Sequence, residues 1–183
     1  MKKQITLFLF LLFTTLSLFS QSYLGWANKQ VNLREGPGKE FAILKTLQQG
    51  QQLFIVSTES ESDFLNVIDI KTNTEGYVHR SFIKLGEAVK INEKGFFTPS
   101  GESTTSDPEI EIYNNTRLNM TLKLNNDNYY FEPQEKRKIT LSPGDYNYRA
   151  SAPGVIPSIG KETMESNVGY TWQFYIVTER RRY

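Results

Sequence analysis

The 183-residue sequence contains no cysteine and a single histidine, His79. Without cysteine there are no disulfides, thiolate nucleophiles or cysteine-ligated zinc sites. A catalytic zinc site usually takes more than one histidine ligand, so this chain is a poor candidate for one. As a general base, His79 would need a nucleophile and an orienting carboxylate, and no Gly-x-Ser-x-Gly motif supplies the nucleophile. We therefore expect no metal, no cofactor and no enzymatic activity, with His79 at the surface.

Neither sign of charge is in excess. Lys and Arg number 21 and Asp and Glu number 20, which gives a formal net charge of +1. Such a chain lacks the basic surface that nucleic acid requires, so we expect no nucleic-acid partner. The aromatic fraction of 13% is high beside a hydrophobic fraction of 38%, which is typical of small β domains that fill a limited core with large rings.

Long apolar runs are also absent, apart from one near the start of the chain. Lys2 and Lys3 precede an apolar run over residues 5–19, and a small polar tripeptide follows at 20–22. This order is typical of a secretory signal peptide at residues 1–20, and the run is shorter than the ~20 residues of a spanning helix. We expect cleavage after Ser20 and export to the periplasm, the cell envelope or the outside, with an uncleaved anchor as the alternative. No membrane span is expected after the cleavage.

The rest of the sequence divides into two β domains. Short apolar runs between Gly, Pro and Asn turns predict a small barrel or sandwich over residues 23–85. Residues 86–108 are predicted to be a linker whose polar end is exposed, although Phe96 and Phe97 are apolar enough to pack on one of the domains. Residues 109–178 alternate apolar and polar side chains over six predicted strands, as antiparallel sheets with one buried face do. A basic tail covers 179–183, and no helix is predicted after the leader.

One stretch of the first domain has a distinctive order. The strand Val31-Asn-Leu-Arg34 is followed by the turn Glu35-Gly-Pro-Gly38, then by Gly50, and later by Gly76-Tyr-Val78. Over residues 24–85 this order and spacing resemble the bacterial SH3 (Src-homology-3-like) domain. The resemblance implies a small barrel that binds a ligand rather than one that carries out chemistry. Many members carry Trp where this chain has Phe64 and Tyr77.

The second domain resembles β-sandwich modules of secreted proteins of the Bacteroidetes type. The resemblance rests on residues 139–146, 150–155 and 170–174, which read I-T-L-S-P-G-D-Y, A-S-A-P-G-V and Y-T-W-Q-F. The predicted fold class is therefore all-β, with an N-terminal SH3-like small barrel followed by a small antiparallel β-sandwich, immunoglobulin-like or similar.

Five residues of the first domain are predicted to bind a ligand: Trp26, Arg34, Glu35, Phe41 and Tyr77. Aromatic rings with a few polar neighbours form grooves for peptides or glycans. In the alternative interpretation, Arg34 braces its loop against backbone carbonyls, Glu35 is solvated and the rings belong to the core. The resemblance implies peptidoglycan, or an envelope peptide or protein, as the partner. The alternative function is a structural or assembly subunit of an envelope complex that acts through the sandwich.

Other groups of residues favour structural roles. The carboxylates at 59, 61 and 63, and those of Glu109 and Glu111, are expected to be solvated rather than paired for glycoside hydrolysis. Four aromatic residues share strand faces with apolar neighbours and are expected in the core, namely Tyr146, Tyr148, Tyr170 and Trp172. Tyr175 faces the opposite way and is expected to be exposed. The arginines at 180–182 and the glycosylation triplets that begin at Asn114 and Asn119 are expected to carry no function.

Overall fold

The computed structural model describes residues 21–60, 62–92 and 95–176. The predictions for the leader, for Glu61 and for the basic tail fall outside these residues. The described chain is all-β, as predicted, with one three-residue 3₁₀ turn at Arg80–Phe82. The strands are β1 (Tyr23–Ala27), β2 (Val31–Arg34), β3 (Ile43–Leu47), β4 (Gln52–Ile55), β5 (Phe64–Asp69), β6 (Thr74–His79), β7 (Ile83–Ala88), β8 (Thr98–Glu102), β9 (Glu109–Asn114), β10 (Met120–Leu124), β11 (Asp127–Phe131), β12 (Lys136–Thr140), β13 (Gly144–Ser151), β14 (Ser158–Met164) and β15 (Val168–Phe174). No helix in the described parts of the chain has the length and hydropathy of a membrane span.

The first seven strands form one antiparallel sheet in the order β3-β2-β6-β5-β4-β1-β7. Successive side chains of a strand point to opposite faces, so every second residue can face the core. In β5, Leu65 and Val67 face it, and their neighbours face outward. The core of this barrel consists of Ala27, Leu33, Leu47, Leu53, Ile55, Leu65, Val67 and Val78.

The remaining eight strands form a sandwich of two four-stranded sheets. Sheet I has the order β11-β10-β13-β14, and sheet II has the order β12-β9-β15-β8. One core cluster joins the inner faces of the two sheets, with Leu122 and Tyr148 from sheet I and Ile112 and Trp172 from sheet II. Phe97 is buried in this cluster and Phe96 packs against it, so the prediction that these two rings pack on a domain is confirmed.

One strand pair of the sandwich departs from the prediction of an antiparallel fold. β15 runs parallel to β9, with Tyr170 opposite Ile110 and Trp172 opposite Ile112. β15 enters sheet II between β9 and β8, and it is antiparallel only to β8. Alternation of apolar residues does not report strand direction, so the sequence pattern could not distinguish the two cases.

The predicted linker is wrong over residues 98–102, which form the edge strand β8. All five residues of β8 are exposed, so hydrogen bonds to β15, and not burial, hold the strand in place. The strand β14 was also missing from the prediction. Its sequence, S-I-G-K-E-T-M, buries only the residues at positions 160 and 164, so it lacks the regular alternation that marks a half-buried strand.

The barrel and the sandwich meet on the outer face of the barrel. Phe54, Ile68 and Ile70 belong to a cluster separate from the barrel core, yet they are only 0%, 1% and 5% exposed. They are packed with Val89, which follows β7, and with Ile159 of β14. An outer surface buried this completely makes the two domains one packed unit.

Polar contacts surround this apolar contact. Glu75 of β6 forms an ion pair with Arg149 of β13, and the Gly154 N–H donates to the Ile70 carbonyl oxygen at 2.7 Å. The connection between the domains also takes part, because the Asn92 N–H donates to the Ile159 carbonyl oxygen at 2.9 Å. We refer to Phe54, Ile68, Ile70, Glu75, Arg149 and Ile159 as the domain joint.

Candidate functional site

A cleft of about 570 Å³ opens on the barrel beside the 3₁₀ turn. Phe64 of β5 and His79 of β6 are paired across the two strands, so their side chains project from the same face. Their neighbours Leu65 and Val78 lie in the barrel core. The cleft is lined by Gln30, Val31, Asn32, Arg34, Lys39, Thr46, Phe64, His79, Ser81 and Phe82.

Three aromatic rings in edge-to-face contact form one wall of the cleft. The ring centroids of Phe64 and His79 are 5.2 Å apart in an edge-to-face arrangement, and those of His79 and Phe82 are 5.7 Å apart. The Lys29 Nζ lies 4.4 Å from the centroid of the Phe82 ring, a cation–π distance that adds positive charge beside this wall.

His79 is fixed by the 3₁₀ turn that it begins. Its Nδ1 accepts a hydrogen bond from the Ser81 N–H at 3.3 Å and lies 2.8 Å from the Ser81 Oγ. Because Nδ1 is an acceptor, the neutral ring carries its proton on Nε2. His79 is half-buried and forms part of the cleft wall, whereas the sequence predicted an ordinary surface residue.

Arg34 supports the loop that follows β2. Its Nη1 donates to the carbonyl oxygens of Lys39, at 2.9 Å, and Phe41, at 2.8 Å. The Phe41 ring lies over Gly36, where a Cβ atom would overlap the ring. This is the bracing arrangement that the sequence left open as an alternative, and it ties Lys39 and Phe41 to the end of β2.

The five predicted ligand residues occupy two separate parts of the barrel. Arg34 lines the cleft, and it pairs with Tyr77 across β2 and β6. Phe41 adjoins them through its carbonyl bond to Arg34, and the Glu35 side chain is exposed. Trp26 lies on β1, between β4 and β7, where its ring covers Gly86 so closely that a Cβ there would lie 2.5 Å from the ring.

Several cleft residues were missed as ligand contacts by the sequence analysis. They include Asn32, Lys39, His79 and Phe82. The sequence did contain a signal that Phe64 and His79 face outward. Each is next to a core residue of its strand, Leu65 or Val78, and successive side chains of a strand point to opposite faces. Finding the cleft also required the pairing of β5 with β6, and alternation alone does not give that pairing.

The charges around the cleft are mostly positive. Arg34 and Lys39 line it, and among the residues that the structure describes no carboxylate does. The nearby Asp63 carboxylate lies 3.8 Å from Arg80 Nε. Such a cleft favours a ligand that brings hydrogen-bond acceptors or negative charge.

Glu109 and Glu111, two of the carboxylates considered for hydrolysis, have structural partners. Glu111 pairs with Lys136 at 2.8 Å, and Glu109 lies 3.6 Å from Lys138. A hydrogen bond from the Thr104 hydroxyl lowers the pKa of Glu109, with Lys138 adding to the effect. Across residues 21–60, 62–92 and 95–176, no three His, Asp or Glu side chains gather as a metal ion would need.

The aromatic residues of the sandwich follow the sequence prediction closely. Tyr148, Tyr170 and Trp172 are buried in the core, as predicted, and Tyr146 is half-buried. Tyr175 is 60% exposed, which confirms the prediction for this ring. Asn114 is fully buried, and its amide donates to the Leu118 and Glu132 carbonyl oxygens, both at 2.8 Å, so this glycosylation triplet is inaccessible in the folded protein.

The N-terminal domain is a small all-β barrel with an open cleft of rings and cations, which is the fold class of SH3-like domains. Residues 29–84 match the family model of the bacterial SH3 domain, so this part of the chain is a bacterial SH3 domain. The matched residues begin just before β2 and end in β7, so they include β6 and the 3₁₀ turn. No curated protein and no solved structure matches the chain.

Proposed function

We propose that this is an exported, non-catalytic binding protein whose SH3 domain recognises peptidoglycan or an envelope peptide or protein. Bacterial SH3 domains are typically binding modules for the cell wall. The observation that carries the proposal is the cleft, in which the rings of Phe64, His79 and Phe82 stand beside the cations Arg34 and Lys39. Export rests on the sequence of the leader.

The cleft suits a peptide that carries a carboxylate. Both bonds from Arg34 to its loop use Nη1, while its Nη2 and Nε groups make no hydrogen bond within the described chain and can donate to a ligand. A guanidinium binds a carboxylate with two parallel bonds. The neighbouring rings would cover the apolar part of such a ligand.

A pull-down of the full chain on purified peptidoglycan and on envelope extract tests the proposal. Lys39→Glu reverses a charge in the cleft, and Lys84→Glu makes the same change on β7, outside the cleft. We expect retention of the wild type and of Lys84→Glu, and loss of retention for Lys39→Glu. If neither material retains the wild type, or if both variants behave alike, the cleft is not the binding site.

A second candidate is an assembly role for the sandwich in an envelope complex. Its support is the large hydrophobic side chains that the sandwich exposes, among them Tyr130, Ile156 and Tyr175. Exposed apolar side chains of this size are common at protein interfaces. Light scattering discriminates between the two roles, because a stable oligomer favours assembly and a monomer that is retained on peptidoglycan favours the binding protein.

A further inference from the structure

A second cavity, of about 650 Å³, lies where the SH3 domain meets the sandwich. Thr72 and Asn73 of the SH3 domain form one side, and the other side includes Asn119, Thr121 and Tyr130. We refer to this space as the junction cavity. The SH3 cleft, in contrast, is lined by residues of one domain alone. Ligand sites occur preferentially at domain interfaces.

The floor of the junction cavity is held by a bond between the domains. Asn73 has a φ of 55°, in the left-handed region of its turn, and its Nδ2 donates to the Thr121 Oγ1 at 3.2 Å. Thr121 is paired with Tyr130 across β10 and β11, so both side chains project from the outer face of sheet I. The Tyr130 ring is 68% exposed, and this leaves most of its surface available to a ligand.

The opposite rim is a network of charges of both signs. The Arg137 guanidinium lies 4.3 Å from the centroid of the Phe131 ring and donates to the Tyr130 carbonyl oxygen at 2.6 Å. Glu135 lies 3.5 Å from Arg137 Nε and accepts the Glu132 N–H at 2.7 Å. These contacts fix the rim, and the mixture of charges selects against a strongly charged ligand.

We propose that the junction cavity binds an uncharged saccharide chain. A sugar ring has an apolar face, which the exposed Tyr130 ring can cover, and an edge of hydroxyls that both donate and accept. The amides of Asn73 and Asn119 do both as well, and the exposed Glu132 carboxylate accepts. This site shares no lining residue with the SH3 cleft, and it does not depend on the function proposed for that cleft.

The same walls fit a peptide poorly. Met120 and Phe131 line the cavity but are almost fully buried. They therefore expose too little apolar surface to bind an apolar side chain of a peptide. A peptide could instead add a strand to the sheet edge at β11. There, Arg137 already donates to the Tyr130 carbonyl oxygen, which removes an acceptor that the added strand would use.

Calorimetric titration of the full chain with a panel of neutral β-linked tetrasaccharides, including those of glucose and N-acetylglucosamine, tests the inference. We expect at least one to bind, and we expect Tyr130→Ala to weaken its binding by about tenfold or more. Tyr175→Ala is the matched control, since it removes an exposed tyrosine that follows β15, outside the junction cavity, and should leave the affinity unchanged. Asn73→Gly keeps a turn residue suited to positive φ while it removes the amide, and it should also weaken binding.

Three results would overturn the inference. The first is that no tetrasaccharide of the panel binds. The second is that Tyr130→Ala binds as tightly as the wild type, or that Tyr175→Ala loses binding in its place. The third is that an acidic tetrapeptide displaces the saccharide and depends on Tyr130, which would make the cavity a peptide site.

Discussion

Glu75 of the SH3 domain and Arg149 of the sandwich form an ion pair across the domain joint. The Arg149 side chain is only 9% exposed, whereas that of Glu75 is 32% exposed. Arg149 Nε has no hydrogen-bond partner in the described chain, so Glu75 is the main compensation for burying this guanidinium. A buried charge that loses its partner is more costly than the pair itself is stabilising.

We expect Glu75→Ala to lower the free energy of unfolding by about 2 kcal/mol, because it leaves Arg149 buried and unpaired. Adding Arg149→Ala should recover part of the loss, with a coupling energy of about 1 kcal/mol or more in the double-mutant cycle. Chemical denaturation of the four proteins measures both values. Strictly additive effects would show that the pair contributes nothing to the joint.

Ile68→Ala should be as costly as a core substitution, although Ile68 lies on the outer face of the barrel. We expect the free energy of unfolding to fall by about 2–4 kcal/mol. The sandwich covers Ile68, so the space that the substitution creates would stay empty. Leu85→Ala, at an exposed position of β7, provides the control and should stay within about 0.5 kcal/mol of the wild type. Equal effects of the two substitutions on thermal unfolding would mean that the joint is open in solution.

Arg34→Lys should loosen the loop at residues 35–42, because an ammonium group cannot reproduce the two bonds of Nη1. The Glu35 N–H donates to the Ala42 carbonyl oxygen at 3.0 Å across this loop. We expect its hydrogen exchange to accelerate by about tenfold as the loop opens more often. Glu35→Gln changes only an exposed side chain and should leave exchange in the loop unaltered. Unchanged protection in Arg34→Lys would contradict the bracing role.

Asp69 should make the stability of the SH3 domain depend on pH. Burial raises the pKa of this carboxyl, but hydrogen bonds from Lys45, Thr72 and Gln51 outweigh burial and hold the pKa below its usual value of 3.8. Because the pKa is lower in the folded state, the carboxylate stabilises the fold above that value, and the contribution is lost as the pH falls through the folded pKa. Asp69→Asn should therefore be less stable than the wild type near neutral pH by about 2 kcal/mol.

The difference between Asp69→Asn and the wild type should shrink as the pH falls below about 4. Denaturant titrations at a series of pH values measure it. Asp127→Asn, a substitution at an exposed position of β11, is the control and should change stability near neutral pH by no more than about 0.5 kcal/mol. If the difference in unfolding free energy between Asp69→Asn and the wild type stays constant down to the lowest pH, the charge of the carboxylate does not stabilise the fold.

The sequence predicted the parts of the fold that rest on regular alternation or on turn chemistry. Met120, Leu122 and Leu124 alternate with polar residues, and the structure buries all three. The strand β2 and its Glu35-Gly-Pro-Gly38 turn also lie where the pattern placed them. In both cases the signal is local, because period-two burial and the interruption of a strand by Gly and Pro are properties of a few consecutive residues.

The site and the joint depend on contacts between distant segments, which local patterns do not encode. The sequence pattern identifies Ile68 only as an apolar residue of a buried strand. Its burial on the outer face of the barrel is explained by Ile159, which is far along the chain. In the same way, Phe64 and His79 become cleft residues only once β5 pairs with β6. Asn73 lies in one of the Asn-containing turns that separate the predicted strands, and nothing near it in sequence points to Thr121.

The position of β15 has a consequence for the order in which the chain folds during synthesis. All seven strands of the barrel are complete by Ala88, whereas sheet II cannot form until β15 has emerged to take its place between β9 and β8. Ile159 of β14 covers Phe54, Ile68 and Ile70, and β14 belongs to a sheet whose inner face is buried only against sheet II. These three side chains therefore stay uncovered until the sandwich is complete. During that interval the nascent chain exposes an apolar surface that is prone to aggregation. A chaperone that covers this surface would protect the protein until β15 has been synthesised.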